Sequence, residues 1–267
     1  MIPKIIHFCW LSGDEYPPLI KHCIATWKQV LPDYEIVLWD INRFDINSVA
    51  WVKEAFEAKK YAFAADYIRL YAVYSEGGIY LDSDVEVLKP FDDLLSSRSF
   101  IGFEAATEKI EAAIFGAEKG CEWCKKAMEF YDNRHFEVDK QGGINTAYIA
   151  PNIINESLKQ LFPDFPEIPV KTPIKIHDNE LTVCPSKFFS PIMYDLEKSY
   201  TTEKDVAKRY RENPETYCIH RFNASWGIKP SKKLQWWDYF KKRCRKILGE
   251  KVANIIIAPI RFVGRLK

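Results

Sequence analysis

The sequence has no run of about 18 or more apolar residues, which excludes a membrane-spanning helix. Nor has it an excess of charge of either sign. Its 38 Lys and Arg stand against 37 Asp and Glu, a formal net charge of +1. As a whole-chain figure, that argues against a dedicated nucleic-acid binder, which is usually strongly basic. The opening residues MIPKIIHFCW lack a charged stretch followed by an apolar run and a cleavage site, so they read as a first strand and not as a signal peptide. A second pair of cysteines is missing too. The seven are Cys9, Cys23, Cys121, Cys124, Cys184, Cys218 and Cys244, and Cys121-x-x-Cys124 has no partner pair to complete a zinc site. An odd count in a long chain without an export signal reads as reduced thiols. Internal repeats and low-complexity segments are also absent.

What is present describes a globular enzyme-sized chain. With 47% hydrophobic and 15% aromatic residues, 267 residues suffice to bury a sizeable core in one large α/β domain or two small ones. The near-neutral charge is an average over two unlike parts. From Lys229 to Lys267 there are twelve Lys or Arg against Asp238 and Glu250, a local charge of +10. The first 228 residues hold 26 basic and 35 acidic residues, or −9. Such asymmetry points to a surface-binding segment.

Periodicity gives the organisation of the first part. Residues 4–9 form a short apolar run that reads as a buried strand, ended by Ser12-Gly13-Asp14. Apolar residues at 19, 20, 23, 24, 27 and 30 then repeat with a helical period, and 34–39 read as a second strand. Strand, helix, strand at this spacing opens a doubly wound α/β sheet. Residues 49–75 contain no Gly or Pro and read as one or two helices, ended by Gly77-Gly78. Ile79-Tyr80-Leu81 follows as a strand, and Val85 to Leu88 resumes the alternation. The middle of the chain, 99–219, reads as short strands, helices and Pro-rich loops, with 162–173 as irregular surface.

Asp82-Ser83-Asp84 stands at the end of that apolar strand. Ligands of open α/β sheets sit beyond the carboxyl ends of strands, so both carboxylates are delivered to a site mouth. Two unpaired carboxylates one residue apart repel each other unless a cation or proton lies between them. A hard divalent ion whose shell is completed by phosphates satisfies both. A solvated turn bearing two surface acids is the plainer alternative.

The segment Gly77-Gly78-Ile79-Tyr80-Leu81-Asp82-Ser83-Asp84-Val85 resembles the signature of glycosyltransferase family 32. Bacterial capsular-polysaccharide sugar transferases and yeast Golgi mannosyltransferases belong to it, and the clostridial glucosylating toxins are relatives. Ile2-Pro3-Lys4-Ile5-Ile6-His7 with Trp10 resembles the family's opening strand, Ala65-Asp66-Tyr67-Ile68-Arg69 its upstream helix, and His220 through Ser225-Trp226 its closing motif. The resemblance implies a GT-A fold, that is, a Rossmann-like mixed sheet flanked by helices over residues 1–228. It also implies a nucleotide-sugar donor (a UDP-sugar by analogy with bacterial relatives), Mn²⁺ or Mg²⁺, and retention of anomeric configuration. Carried over position by position, Asp82 and Asp84 would hold the ribose and the metal–diphosphate, Asp84 more directly. Trp10 would stack on the base, and Tyr80 would lie near the donor. Asp66 would accept hydrogen bonds from sugar hydroxyls, and Arg69 would contact sugar or diphosphate through its planar fork. Ser225 and Trp226 would close over the diphosphate, and His220 would add a metal or phosphate contact. In Gln141-Gly142-Gly143-Ile144-Asn145-Thr146, Gly143 replaces the proline of the family's loop beside the donor sugar; Gly142 and Asn145 are the donor-contact candidates there.

Each has a bland counterpart. Asp66 and Arg69, at i and i+3 on a helix, form an ordinary surface ion pair by default. Trp10 after an apolar strand suits a core, and His220 after Cys218-Ile219 suits a structural histidine. Two rival functions stand beside the transferase. One is a HAD-type phosphatase using Asp82 as nucleophile, which the nearly eighty preceding residues and Gly77-Gly78 oppose. The other is a non-catalytic peripheral membrane module, supported only by 229–267.

In that C-terminal segment Trp236, Trp237, Phe240, Leu248, Ile255, Ile256 and Phe262 interleave with the basic residues. A basic amphipathic helix of this kind lies on an anionic membrane surface, each basic residue adding about 1 kcal/mol. The alternative is a helix packed on the domain with a solvated basic face. The expectation is a cytoplasmic enzyme attached peripherally to the inner face of the membrane. It would act on a glycan or lipid-linked glycan in polysaccharide biosynthesis, with no nucleic-acid partner.

Overall fold

The computed structural model describes residues 1–105, 109–137, 148–190 and 213–222. Its first strand, β1 (Ile5–Cys9), is followed by helix α1 (Pro18–Val30) and strand β2 (Glu35–Trp39). The two strands run parallel in register from Ile5↔Glu35 to Cys9↔Trp39. Pro18 starts α1 where a missing N–H is harmless, and the helix buries Ile20, Cys23, Ile24 and Trp27 at the spacing its sequence shows. The Trp27 indole donates to the Val85 carbonyl at 2.7 Å, tying this helix to the segment after the third strand.

The Gly- and Pro-free stretch forms two helices, α2 (Ala50–Glu57) and α3 (Tyr61–Glu76), parted at Lys59, whose φ is +57°. Helix α3 ends at Gly77, and β3 (Gly78–Leu81) enters the sheet parallel to β1, with His7 opposite Tyr80. Gly78 has a φ of +109°, and a Cβ there would stand 2.7 Å from the Ile5 carbonyl oxygen, so only glycine fits. His7 braces the same corner. Fully buried, it receives a hydrogen bond on Nδ1 from the Trp39 indole (3.0 Å), while Nε2 meets the Gly77 carbonyl at 2.7 Å. The neutral ring with its proton on Nε2 satisfies both partners, and burial holds its pKa below the ordinary value.

The chain continues through β4 (Val85–Val87), β5 (Ser99–Phe103), β6 (Ile110–Ala117), α4 (Glu122–Glu129), α5 (Ala150–Leu161), β7 (Ile174–Ile176), β8 (Leu181–Cys184), α6 (Ser186–Phe189) and β9 (Cys218–His220). Seven strands form one mixed sheet in the order β2-β1-β3-β6-β5-β8-β7, and β4 and β9 form a separate ribbon. The β1–β2, β1–β3 and β5–β8 pairs are parallel, whereas β6 is antiparallel to both its neighbours. This is the Rossmann-like mixed sheet flanked by helices that the family resemblance implies.

Successive strand residues face opposite layers. Tyr80 and Ile101 pack with α2, α3, α4 and α5, whereas Ile79, Leu81 and Phe100 pack with α1, α6 and the β4–β9 ribbon. The 162–173 stretch has neither helix nor strand, as its prolines dictate, but it is not wholly surface: Phe162 and Phe165 are buried against the first layer. Cys121 lies half-buried ahead of α4 and Cys124 is buried within it; neither is in a disulfide. No described helix is long and apolar enough to cross a membrane. Met1–Trp226 is one compact unit. The basic segment 229–267 lies outside the described residues, as do Gly142, Asn145, Ser225 and Trp226.

Candidate active site

The connection from β1 to β2 through α1 lies on one face of the sheet, and the return to β3 through α2 and α3 lies on the other. The carboxyl ends of β1 and β3 therefore flank a topological switch point, the usual ligand crevice of an open α/β sheet. Trp10 follows β1 directly and Asp82 follows β3 directly. Trp10 is half-buried; its indole donates to the Asp14 carbonyl at 2.8 Å, and its ring meets Tyr16 edge-on at 5.0 Å. It is thus neither a core residue nor a free platform.

Asp82 is drawn into the sheet's hydrogen bonding, its N–H donating to the Ala113 carbonyl of β6 at 2.9 Å. Its Oδ1 accepts from the Tyr80 hydroxyl at 2.8 Å and lies 3.4 Å from Arg69 Nη2. The same Nη2 is 3.1 Å from Asp66 Oδ1, Arg69 Nη1 donates to the Ala112 carbonyl at 2.9 Å, and the guanidinium stands 4.9 Å over the Tyr80 ring. Asp66 Oδ2 accepts from the Ala150 N–H, the first of α5, at 3.2 Å. Asp66 and Arg69 are 7% and 6% exposed. The pair is buried, not the surface ion pair that i, i+3 spacing suggests by default. The reason is that α3 packs against β1, β3 and α4 and carries apolar residues nearly all round. Burial pushes the Asp66 pKa up to about 6 in spite of Arg69 and the Ala150 N–H. Arg69 is buried as well, but Asp82, Tyr80 and Asp66 outweigh that and secure its charge. Burial also keeps the Tyr80 phenol protonated well above its ordinary range.

Asp84 sits on the other side of the turn. Ribbon β4–β9, in register Val85↔His220, brings a histidine 136 positions away in sequence to its side. The Arg221 N–H donates to the Asp84 carbonyl at 3.1 Å, and His220 Nε2 lies 3.6 Å from Asp84 Oδ1. One ligand atom from each of Asp82, Asp84 and His220 falls within 4.8 Å of the other two. Two carboxylates and an imidazole fit a divalent ion. Burial opposes protonation of His220, but Glu111, Asp84 and Asp82 push its pKa up to about 10.

Glu111, on β6, escapes the sequence reading. It is 1% exposed, and its carboxylate lies 3.2 Å from His220 Nδ1. Its burial works against the charge, yet His220 outweighs that and holds the carboxyl below its ordinary pKa. A signal was available: Ile-Glu-Ala-Ala-Ile-Phe-Gly-Ala is an apolar strand with a single acid in it.

Residues 17–101 match a family model described as the glycosyltransferase sugar-binding region containing the DXD motif. Inositol phosphoceramide mannosyltransferase 3 of Schizosaccharomyces pombe is 31% identical over 126 residues, 45% of this chain and 34% of the relative. Mannosyl phosphorylinositol ceramide synthase SUR1 of Saccharomyces cerevisiae is 31% identical over 105 residues, 38% of this chain and 27% of the relative. Subversion of eukaryotic traffic protein A of Legionella pneumophila is 29% identical over 119 residues, 34% and 18% of the two chains. The chain thus spans about a third or less of the length of these relatives. Among solved structures, the PaToxG glycosyltransferase has a TM-score of 0.47 at 22% identity, covering 61% of this chain and 70% of its own. The galactosyltransferase LgtC, in complex with donor and acceptor sugar analogues, has a TM-score of 0.41 at 15% identity, covering 81% and 86%.

Proposed function

We propose, from the match of residues 17–101 to the DXD-containing glycosyltransferase model, that the chain is a metal-dependent hexosyltransferase on a GT-A sheet. It would move a sugar from a nucleotide-sugar donor, with retention, to a glycan or lipid-linked acceptor. The observation that carries this reading is the convergence of Asp82, Asp84 and His220 within 4.8 Å at the end of β3, with the Arg69 guanidinium on Asp82.

Asp82, Asp84 and His220 are the residues that would hold the ion; when bound, it supplies Lewis-acid charge to the diphosphate. Trp10, at the end of the adjacent strand, would lie beside the base in this reading. Arg69 is buried, permanently charged and fixed by the Ala112 carbonyl, so it presents positive charge to the sugar–diphosphate linkage without reorganising. Asp66 is a hydrogen-bond acceptor for sugar hydroxyls at the N-terminus of α5. Gly142, Asn145, Ser225 and Trp226 complete the donor site in this reading, as the family's loops do.

The relatives named as mannosyltransferases make a mannosyl nucleotide as plausible a donor as a UDP-sugar. The +10 segment, 229–267, would hold the enzyme on an anionic membrane surface beside its acceptor. The test is a panel of UDP-glucose, UDP-galactose and GDP-mannose with Mn²⁺, reading released nucleotide for wild type and Asp84→Ala. Turnover of one donor by wild type and its loss by at least a hundredfold in the variant is the expected result. Equal activity in the variant refutes the metal role, and phosphate-ester cleavage dependent on Asp82 would favour the phosphatase.

A further inference from the structure

A carboxylate within a buried apolar strand costs several kcal/mol unless something compensates it. The groups that compensate Glu111 include the Ala113 N–H on Oε1 (3.1 Å) and the His220 ring. Its place on the sheet is equally telling. The β3–β6 register runs from Gly78↔Ala117 to Leu81↔Ile114, and Asp82 still bonds Ala113, so Glu111 extends to the level of the Asp82–Asp84 turn. There it meets Nδ1 of the histidine whose Nε2 faces Asp84.

We infer that Glu111 is the positioning residue of the cation site: it orients His220 for the ion that Asp82 and Asp84 hold, a conclusion resting on the metal reading above. By accepting the Nδ1–H it selects the tautomer whose Nε2 lone pair is directed at the cation, and it raises the basicity of that nitrogen. Backbone placement does not depend on it. His220 is paired with Val85, and Arg221 is bonded to Asp84 through the main chain and to Glu86 through its side chain at 2.7 Å. Phe222 covers one side of the imidazole at 4.0 Å between ring centres. What is left free is rotation of the ring, and Glu111 is the group that stops it.

The test is Mn²⁺ binding to the full chain without donor, followed by the electron paramagnetic resonance signal of free Mn²⁺. Wild type, Glu111→Gln, His220→Ala, the double variant and Asp84→Asn are compared. Glu111→Gln should weaken binding about tenfold or more, with the cooperative thermal transition preserved. The decisive comparison is the double variant. Because Glu111 acts through His220, adding Glu111→Gln to His220→Ala should change the affinity less than twofold. Unchanged affinity in Glu111→Gln, or two effects that add, would overturn the inference while Asp84→Asn still upholds the metal site. Wild type that binds no Mn²⁺ would overturn both. Should Glu111→Gln not fold, Glu111→Asp keeps the charge but withdraws it by one methylene. It should weaken Mn²⁺ binding only in the His220 background, and an equal effect with His220→Ala would refute the role.

Discussion

Asp66 shows how much one burial changes. Its pKa in the fold, about 6, lies above the ordinary value of 3.8. Folding therefore favours the protonated carboxyl. That contribution to stability is complete below about pH 4 and is lost as pH rises through 6. In chemical denaturation, the stability of wild type relative to Asp66→Asn should fall by about 2.5 kcal/mol from pH 4 to pH 7. A difference that does not vary with pH would refute the assignment. Arg69 is its counterpart. Arg69→Ala leaves Asp66 buried without its cation and should cost about 3–5 kcal/mol. Arg69→Lys should keep most of the stability yet lose turnover, since an ammonium cannot serve Asp66, Asp82 and the Ala112 carbonyl together. Thermal melts alongside nucleotide release separate the two effects.

At the scale of elements, the entry to β3 is closely packed against backbone. Gly78 combines a φ of +109° with an Ile5 carbonyl 2.7 Å from any added Cβ, and His7 Nε2 would stand at 3.1 Å from it. Gly78→Ala should cost about 3 kcal/mol or more, seen as a lower melting temperature, because strain and clash fall on one residue. A melting temperature within 2 °C of wild type would show that β1 can retreat. The strands and helices from 5 to 87 were legible from periodicity and Gly-Gly punctuation, because each buries one face against a neighbour close in sequence. Pairings between 85–87 and 218–220 were not legible, since β4 and β9 are three residues each and carry no period long enough to read. The antiparallel insertion of β6 between β3 and β5 was hidden for a related reason: an all-buried strand shows hydrophobicity but not direction.

For the whole molecule, the cancellation within the +1 net charge separates a domain of −9 from a segment of +10. Flotation on vesicles containing about a third phosphatidylserine should be strong for the full chain and weak for a chain truncated after Pro230. It should also diminish as salt is raised, since the attraction is screened beyond about 10 Å at 0.1 M ionic strength. Equal flotation of both chains would refute the membrane role.

Local chemistry alone determined the α/β class, the strand that delivers Asp82 and Asp84 to a crevice, and the glycines that let it enter. Such features depend on periods and turns a few residues long. The tertiary structure decided that Asp66 and Arg69 are a buried pair, that His220 comes to stand beside Asp84, and that Glu111 stands behind it. Those facts rest on contacts between residues dozens to more than a hundred positions apart. Burial and charge pairing act through distance in space, which no spacing along the chain encodes.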